Sequence, residues 1–370
     1  MTTTLAKPLA WNSATSALRQ RAGRLAELAA TPLLPADYLD LLRPLRSGTN
    51  LRGRITAIAA ETADAATITI KPGRGWRGHI PGQYVRVGVD VRGVRQWRAY
   101  SLTSSPTGTS TAPPTIAITV KAIPDGVVSN HLVRSAQVGT IVQLEQACGE
   151  FSLTDAGPPK KLFVTAGSGI TPVMGILRNH LDELTDVVLV HCAPTPADVI
   201  FGAELRALAA DRRLRLIEQH TDTDGRLDTA ALAKLVPDLT ERETWACGPT
   251  ALLDAIETHY ASRGFAELLH TERFRPRVLH TGEGGTVQFS RSATTVEADG
   301  DTALLDAGEA AGVLMPSGCR MGICFGCVVP LREGAVRDLR SGDLTTAALG
   351  DRILIQTCVS AAAGACDIDL

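Results

Sequence analysis

The chain has 370 residues, of which 44% are hydrophobic and 21% charged, and its net charge is −2. That length allows two or three domains, and the near balance of charge excludes a protein that binds nucleic acid through a bulk basic surface. No uninterrupted apolar run reaches the roughly eighteen residues a membrane span needs, and the N-terminus lacks a signal-peptide layout, so a reducing cytoplasm is the expected compartment.

Residues 1–50 read as a helical extension, with Leu18, Ala22, Leu25 and Ala29 at three-to-four spacing and Arg19, Arg21 and Arg24 between them. Such a stripe suits peripheral contact with an anionic membrane surface or a membrane-bound partner, and equally suits packing on a neighbouring domain. Pro32 and Pro35 break the run. From Leu51 to about residue 157 the pattern changes to short strands: 54–59, 66–71, 84–89, 96–100, 116–122 and 141–146. Their spacing predicts a small antiparallel β-barrel.

Between 158 and 274 buried strands at 162–165, 187–191, 214–218 and 244–247 alternate with helices near 172–181, 203–210, 229–235 and 250–263. This alternation predicts an α/β domain with a parallel sheet. A glycine-containing stretch, 275–285, then leads to a last domain over 284–370 that opens with a strand at 286–290. That domain carries eleven Asp/Glu and six Arg, a charge of −5, leaving +3 on the remainder. Opposite signs suit docking of one part on the other, as they also suit a solvated acidic surface.

Four motifs precede the last domain. Arg98-Ala99-Tyr100-Ser101 ends a barrel strand; a guanidinium can neutralise a diphosphate, an aromatic can stack on a ring, and a hydroxyl can reach a ring heteroatom. The same residues could simply cover a barrel edge. Gly126-Val127-Val128-Ser129 precedes a helix, where free N–H groups seat phosphate, although Ser129 as a plain N-cap explains it as well. Gly167-Ser168-Gly169-Ile170-Thr171-Pro172 follows a buried strand and opens a helix, the setting in which a dinucleotide pyrophosphate approaches a helix N-terminus. Cys247-Gly248-Pro249 ends a parallel strand, where ligands bind in such sheets, although most free cysteines are buried filler.

The last domain holds Cys319, Cys324 and Cys327, with Cys358 thirty-one residues beyond Cys327. C-x4-C-x2-C…C is the plant-type [2Fe–2S] spacing. A zinc site would usually show two short C-x2-4-C knuckles, and only Cys324 and Cys327 are so spaced. Disulfides fit poorly with a chain of this length lacking a secretion signal.

The ordered set R-x-Y-S, G-x-x-S, G-x-G-x-T-P, C-G-P and plant-type ferredoxin resembles the ferredoxin–NADP reductase superfamily, specifically oxygenase-type reductases with a C-terminal [2Fe–2S] domain. It covers residues 51–370. Leu33-Leu34-Pro35-Ala36-Asp37-Tyr38, His191-Cys192-Ala193-Pro194-Thr195, Trp245-Ala246-Cys247-Gly248-Pro249 and Val336-Arg337-Asp338-Leu339-Arg340 further resemble the reductase group that serves actinobacterial stearoyl-CoA desaturases.

The resemblance implies a multidomain protein: an antiparallel β-barrel binding FAD over 51–157, an NAD(P)-binding α/β domain over 158–274 and a β-grasp ferredoxin domain over 284–370. It implies that Arg98 contacts the flavin pyrophosphate, Tyr100 stacks on the isoalloxazine and Ser101 lies near N5. Val120 and Lys121 resemble the next flavin-contacting strand, and Gly126 and Ser129 the diphosphate seat. Gly167, Gly169, Thr171 and Pro172 would hold NADPH or NADH. Cys247, Gly248 and Pro249 would lie beside the nicotinamide, and Glu272 and Phe274 near the flavin. Cys319, Cys324, Cys327 and Cys358 would ligate the cluster.

One departure is Pro194, which stands where many relatives have the arginine that anchors a 2′-phosphate; Arg226 offers a substitute charge, and the desaturase-serving group shares this proline. The implied activity passes electrons from NAD(P)H through FAD and [2Fe–2S] to a terminal acceptor, a membrane fatty-acyl desaturase or hydroxylase. Alternatives are a reductase for a Rieske ring-hydroxylating oxygenase, a stand-alone quinone or dye reductase, and a zinc-bearing interaction protein whose α/β domain only senses nucleotide.

Overall fold

A computed structural model describes residues 44–46, 50–91, 93–104, 115–124, 126–153 and 159–370. The helix expected near the N-terminus, with Leu18 and Arg24, lies outside the described residues. Among those residues no helix is long and apolar enough to cross a membrane.

Six strands form the first unit: β1 (Arg52–Thr62), β2 (Ala65–Pro72), β3 (Tyr84–Val91), β4 (Val94–Ser101), β5 (Ile116–Lys121) and β6 (Ile141–Leu144). They pair antiparallel in the order β4-β3-β6-β1-β2-β5, and a bridge between Leu102 and Ile118 joins the two edges into a barrel. Alternation explains the closure. Ile68 and Ile70 on β2, Val85 and Val87 on β3, and Ile116 and Ile118 on β5 all point into one dry core. Helix α1 (Val127–Arg134) adds Val128 and Leu132 to that core.

The second unit alternates β7 (Lys160–Ala166), α2 (Ile170–His180), β8 (Asp186–Ala193), α3 (Gly202–Ala210), β9 (Arg215–His220), α4 (Thr229–Leu235), β10 (Glu243–Cys247), α5 (Thr250–Arg263) and β11 (Leu269–Glu272). Every pair is parallel, in the order β11-β10-β7-β8-β9. The chain winds outward from β7 to β9 and then crosses to β10 on the other side. The strand order therefore reverses between β7 and β10, and the crevice outside their carboxyl ends is where such sheets bind ligands. Both faces are covered: Phe163, Leu189 and Trp245 lie in one apolar cluster, and Leu162, Val190 and Ala246 in the other.

Helix α2 joins this sheet to the barrel. A Cβ on Gly175 would collide with the carbonyl oxygen of Leu102, so only glycine permits the approach. Alongside it Arg178 Nη1 donates to Thr103 O at 2.8 Å, and Trp245 Nε1 donates to Ser152 O at 3.2 Å.

The third unit is a mixed sheet of β12 (Gly285–Phe289), β13 (Thr294–Ala298), β14 (Val328–Asp338), β15 (Leu344–Ala347), β16 (Ile353–Gln356) and β17 (Ser360–Ile368). The strand order is β13-β12-β17-β14-β15 with β16 also on β14, and only β12 and β17 run parallel. Helix α6 (Leu304–Ala310) lays Leu304 and Leu305 in the core formed by Val287, Phe289 and Ile368. This is the β-grasp arrangement expected for the last domain. The connection into it is pinned at both ends: Arg273 and Arg277 pair with Asp254 of α5 at 2.9 and 3.1 Å, and Leu279 N–H donates to Leu339 O at 2.8 Å.

Candidate flavin, nucleotide and cluster site

The cysteine loop lies between α6 and β14. Cys324 Sγ accepts N–H bonds from Cys319 at 3.1 Å and Gly326 at 3.4 Å, and Cys319 Sγ accepts from Met321 at 3.3 Å. Donors of this kind stabilise thiolates. Cys327 Sγ lies 3.2 Å from Cys358 Sγ, which follows β16, and that neighbour lowers the pKa of the Cys327 thiol. The four thus group as Cys319 with Cys324 and Cys327 with Cys358. Two thiol pairs fit two irons, each needing two protein sulfurs, and fit a mononuclear zinc site poorly.

Tight backbone geometry makes the loop possible. Gly322 takes φ +72°, and the non-glycine residues Arg320 and Phe325 also adopt left-handed values of 60° and 55°. Strain of this sort persists where surrounding structure enforces it. Arg340 Nη1 and Gln356 Nε2 both donate to Gly322 O, at 3.2 and 3.1 Å, while Asp338 holds the Arg340 guanidinium at 2.7 Å. The Asp338-Leu339-Arg340 segment is therefore a brace for the loop.

On the barrel, Arg98 and Tyr100 share one face of β4 and Ser101 lies on the other, opposite Tyr84 of β3. Ser101 Oγ is buried without a partner. Arg98 Nη1 donates to Trp97 O at 2.8 Å, and burial followed by the Arg320 guanidinium holds its pKa below the ordinary value. Arg320 is itself paired with Asp306 and Glu309 of α6, and those carboxylates partly offset its effect on Arg98. Burial raises the phenol of Tyr100.

One reading on this domain changes, that of Ser129 as a helix cap, and two residues of β5 gain defined surroundings. Val120 is a core side chain of the barrel, on β5 opposite Ala66 of β2. Lys121 Nζ is engaged by both oxygens of Asp64 at 2.6 Å. Ser129 is not an N-cap: Gly126 holds that position, Ser129 is the third helical residue, and its hydroxyl donates back to Gly126 O at 3.1 Å. The N–H groups of the first turn of α1 are thereby left to other acceptors.

In the α/β unit the motif residues converge on the crevice between β7 and β10. Gly167 takes φ +53° and begins a tight turn, Gly169 ends it, and Thr171 Oγ1 donates to Ser168 O at 2.9 Å. Pro172 is buried in the first turn of α2. A Cβ on Gly169 would overlap the carbonyl oxygen of Cys247 and lie 2.5 Å from its carbonyl carbon. This interlock places the glycine turn against Cys247 and Gly248. Cys247 is fully buried, and burial followed by the Glu272 carboxylate holds its thiol well above the usual value.

The register extends the site into a row. Glu272, Cys247, Thr165, His191 and Glu218 are successive neighbours across the five strands. Thr165 Oγ1 lies 2.8 Å from His191 Nδ1, and burial pushes His191 down to about 4, so the ring is neutral. Phe274 follows β11 and is exposed. Arg226, the candidate substitute for an arginine at Pro194, is exposed and makes no bond among the described residues.

Glu272 Oε2 is sealed from solvent without a partner, and burial pushes its pKa up to about 8. Because the folded value exceeds the unfolded one, its contribution to stability is complete below about 4.5 and is lost as pH rises through about 8. In the flavin-free protein Glu272→Gln is therefore expected to reduce the fall in stability between those pH values, measured by urea unfolding at a series of pH.

Sequence reasoning missed Tyr84 and Arg86. Both alternate with core residues Val85 and Val87 on β3, so the outward polar positions were available to it. Tyr84 lies where the three units meet. Burial raises its phenol, and Cys148, Cys319 of the cluster loop and Glu272 of β11 add to that rise.

Comparison with known proteins matches this geometry. The oxidoreductase FAD-binding domain family matches residues 58–153, the oxidoreductase NAD-binding domain family 163–258, and the 2Fe-2S iron-sulfur cluster binding domain family 287–363. An NADPH oxidoreductase of Mycobacterium tuberculosis H37Rv is 51% identical over 359 residues, 96% of this chain and 92% of that protein. The glycine betaine monooxygenase reductase subunit of Chromohalobacter salexigens is 30% identical over 312 residues, 75% of this chain and 84% of that protein. Phthalate dioxygenase reductase has the same fold, with a TM-score of 0.58 at 22% identity over 87% of this chain and 98% of that one. The chain belongs to the NAD(P)H oxidoreductases of the ferredoxin–NADP reductase superfamily that carry FAD and a C-terminal plant-type [2Fe–2S] cluster on one polypeptide.

Proposed function

We propose that this oxidoreductase takes electrons from NADPH and delivers them singly to an oxygen-using terminal enzyme, a membrane-bound fatty-acyl desaturase. The observation that carries the proposal is the packing of the loop bearing Cys319, Cys324 and Cys327, with Cys358 beside it, against the same barrel that meets the nucleotide unit. FAD held by the barrel would supply a carrier for the hydride's two electrons together, and a cluster held by Cys319, Cys324, Cys327 and Cys358 would supply a carrier for one at a time. The assignment of a desaturase rests on the resemblance of the 33–38, 191–195, 245–249 and 336–340 segments. A second reading, the reductase component of a Rieske ring-hydroxylating oxygenase, is favoured by the names of relatives: a glycine betaine monooxygenase reductase subunit and the ferredoxin reductase component of a 3-ketosteroid-9-alpha-monooxygenase, the latter 35% identical over 278 residues.

In this proposal residues 51–157 bind FAD, 158–274 the nucleotide and 284–370 the cluster, with 1–50 serving the membrane partner. Arg98 and the first turn of α1, at Gly126 and Ser129, hold the flavin diphosphate, while Tyr100 covers the ring. Ser101 offers its unpartnered hydroxyl to the reacting edge of the flavin. Gly167, Gly169, Thr171 and Pro172 seat the nucleotide pyrophosphate, and Cys247, Gly248 and Pro249 floor the nicotinamide. Glu272, neutral at pH 7, and Phe274 border the flavin. The four paired cysteines hold the irons.

Arg98→Ala is expected to weaken flavin binding at least tenfold, since a hydrogen bond to a charged group contributes about 1.5–3 kcal/mol. Iron content should hold, so the flavin-to-iron ratio of purified protein reads the effect. The proposal as a whole is tested by anaerobic titration with NADPH, followed spectroscopically, with desaturase-containing vesicles or an oxygenase then added. Reoxidation by the vesicles supports the desaturase, reoxidation by the oxygenase alone supports the second reading, and a kcat/KM favouring NADH tenfold removes the NADPH assignment.

A further inference from the structure

Arg86 stands on the outward face of β3 and is a barrel residue whose side chain abuts the cysteine loop. Its side chain is only 12% exposed, and Nη1 donates to Glu145 Oε2 at 2.8 Å. The guanidinium carbon lies 5.6 Å from the centre of the Trp97 ring on β4. Gly88, facing Trp97, leaves that ring room: a Cβ there would lie 2.9 Å from it. The other nitrogen, Nη2, points across the domain boundary, where a Cβ on Gly318 would come within 2.8 Å of it and one on Gly326 within 3.3 Å. The Gly318 position also abuts Cys324 Sγ, so the guanidinium covers the part of the loop that carries this sulfur. Arg86 Nε is buried with no partner.

We propose that Arg86 is the positioning residue that seats the cluster loop on the flavin barrel and thereby sets the electron step between the two centres. The inference rests on the reading that the barrel holds FAD and the four cysteines a [2Fe–2S] cluster. Each part of the side chain has a task that lysine could not repeat. One edge of the planar fork is fixed by Glu145, the face lies over Trp97, and the remaining edge meets backbone that only glycine exposes so closely. Gly318 and Gly326 thus serve the interface as well as the loop.

The step forms and breaks no bond: the reduced flavin is oxidised by one electron and the oxidised cluster is reduced by one. The cluster gains a negative charge, and a buried guanidinium beside it favours that form, raising the potential.

The test uses full-length Arg86→Ala, Arg86→Lys and Glu145→Gln holoproteins, each assayed for flavin and iron, in anaerobic stopped flow with NADPH. Flavin bleaching and cluster bleaching are followed separately, and the cluster potential is titrated by EPR. In Arg86→Ala, cluster bleaching is expected to slow at least tenfold with flavin bleaching unchanged. The cluster potential should also fall; a tenfold change in the one-electron equilibrium corresponds to 59 mV. Arg86→Lys should recover the potential, through its charge, but only part of the rate. A loaded Arg86→Ala protein with wild-type cluster kinetics and potential overturns the inference. Should Arg86→Ala fail to load iron, Arg86→Lys decides, because full wild-type kinetics there also overturns it. Absence of iron or flavin from the wild-type protein would instead refute the underlying reading.

Discussion

Cys324→Ser is expected to yield a protein that retains flavin and reduces ferricyanide with NADPH but contains no iron–sulfur cluster and reduces no one-electron protein acceptor. Cys324 Sγ is the acceptor for two backbone N–H groups and lies against Gly318, so the loop is built around this sulfur. An alkoxide is not available from serine near neutral pH, and one iron would lose half of its protein ligands. Iron analysis and the EPR signal of the reduced protein check the result. Cys148, exposed on the barrel, and Cys192 and Cys366, buried in apolar clusters, should each tolerate serine without loss of iron. Burial raises the Cys192 and Cys366 thiols to about 11, as expected of inert structural cysteines.

Gly169→Val is expected to depress NADPH-dependent flavin reduction on the order of a hundredfold, since a displacement of about 1 Å in a binding element can cost that much. The added carbon would collide with the Cys247 carbonyl, which is backbone and cannot rotate away. The glycine turn and the β10 terminus must then separate. Gly167→Ala is the informative control: its Cβ would meet nothing within 4 Å, but the residue takes φ +53°. It should cost about 1–2 kcal/mol of stability through left-handed strain and leave the turn in register with Cys247. Stopped-flow flavin reduction and thermal unfolding of both variants separate the two effects.

Much of this architecture was legible in the residues because local patterns agreed with the global fold. Alternating Val and Ile marked β2, β3 and β5, and the apolar runs 162–165 and 187–191 marked buried parallel strands, each within a few residues of its observed ends. The cysteine spacing was readable because ligand geometry constrains it directly. Less accessible were properties that depend on register. The ion pair that Lys121 makes with Asp64 depends on the turn between β1 and β2, and Ser129 looked like a helix cap although the cap is Gly126, three residues earlier. Arg86 carried no motif at all, because its partners Glu145, Trp97 and Gly318 are separated from it by 59, 11 and 232 positions. The Asp338-Leu339-Arg340 segment was recognised by likeness; its role as a brace for Gly322 required the fold.

The connection into the last domain limits how electrons can leave the protein. Arg277 is tied to α5 of the nucleotide unit, and Leu279 is already bonded to Leu339 of the ferredoxin unit, so a single residue, Val278, separates the two moorings. Two Cα steps span roughly 7 Å. While these moorings hold, the tether has almost no slack, and the ferredoxin unit cannot act as a swinging arm that loads at the flavin and unloads elsewhere. The acceptor must come to a stationary port. Beside Cys324, Ile323 and Phe325 are 59% and 67% exposed.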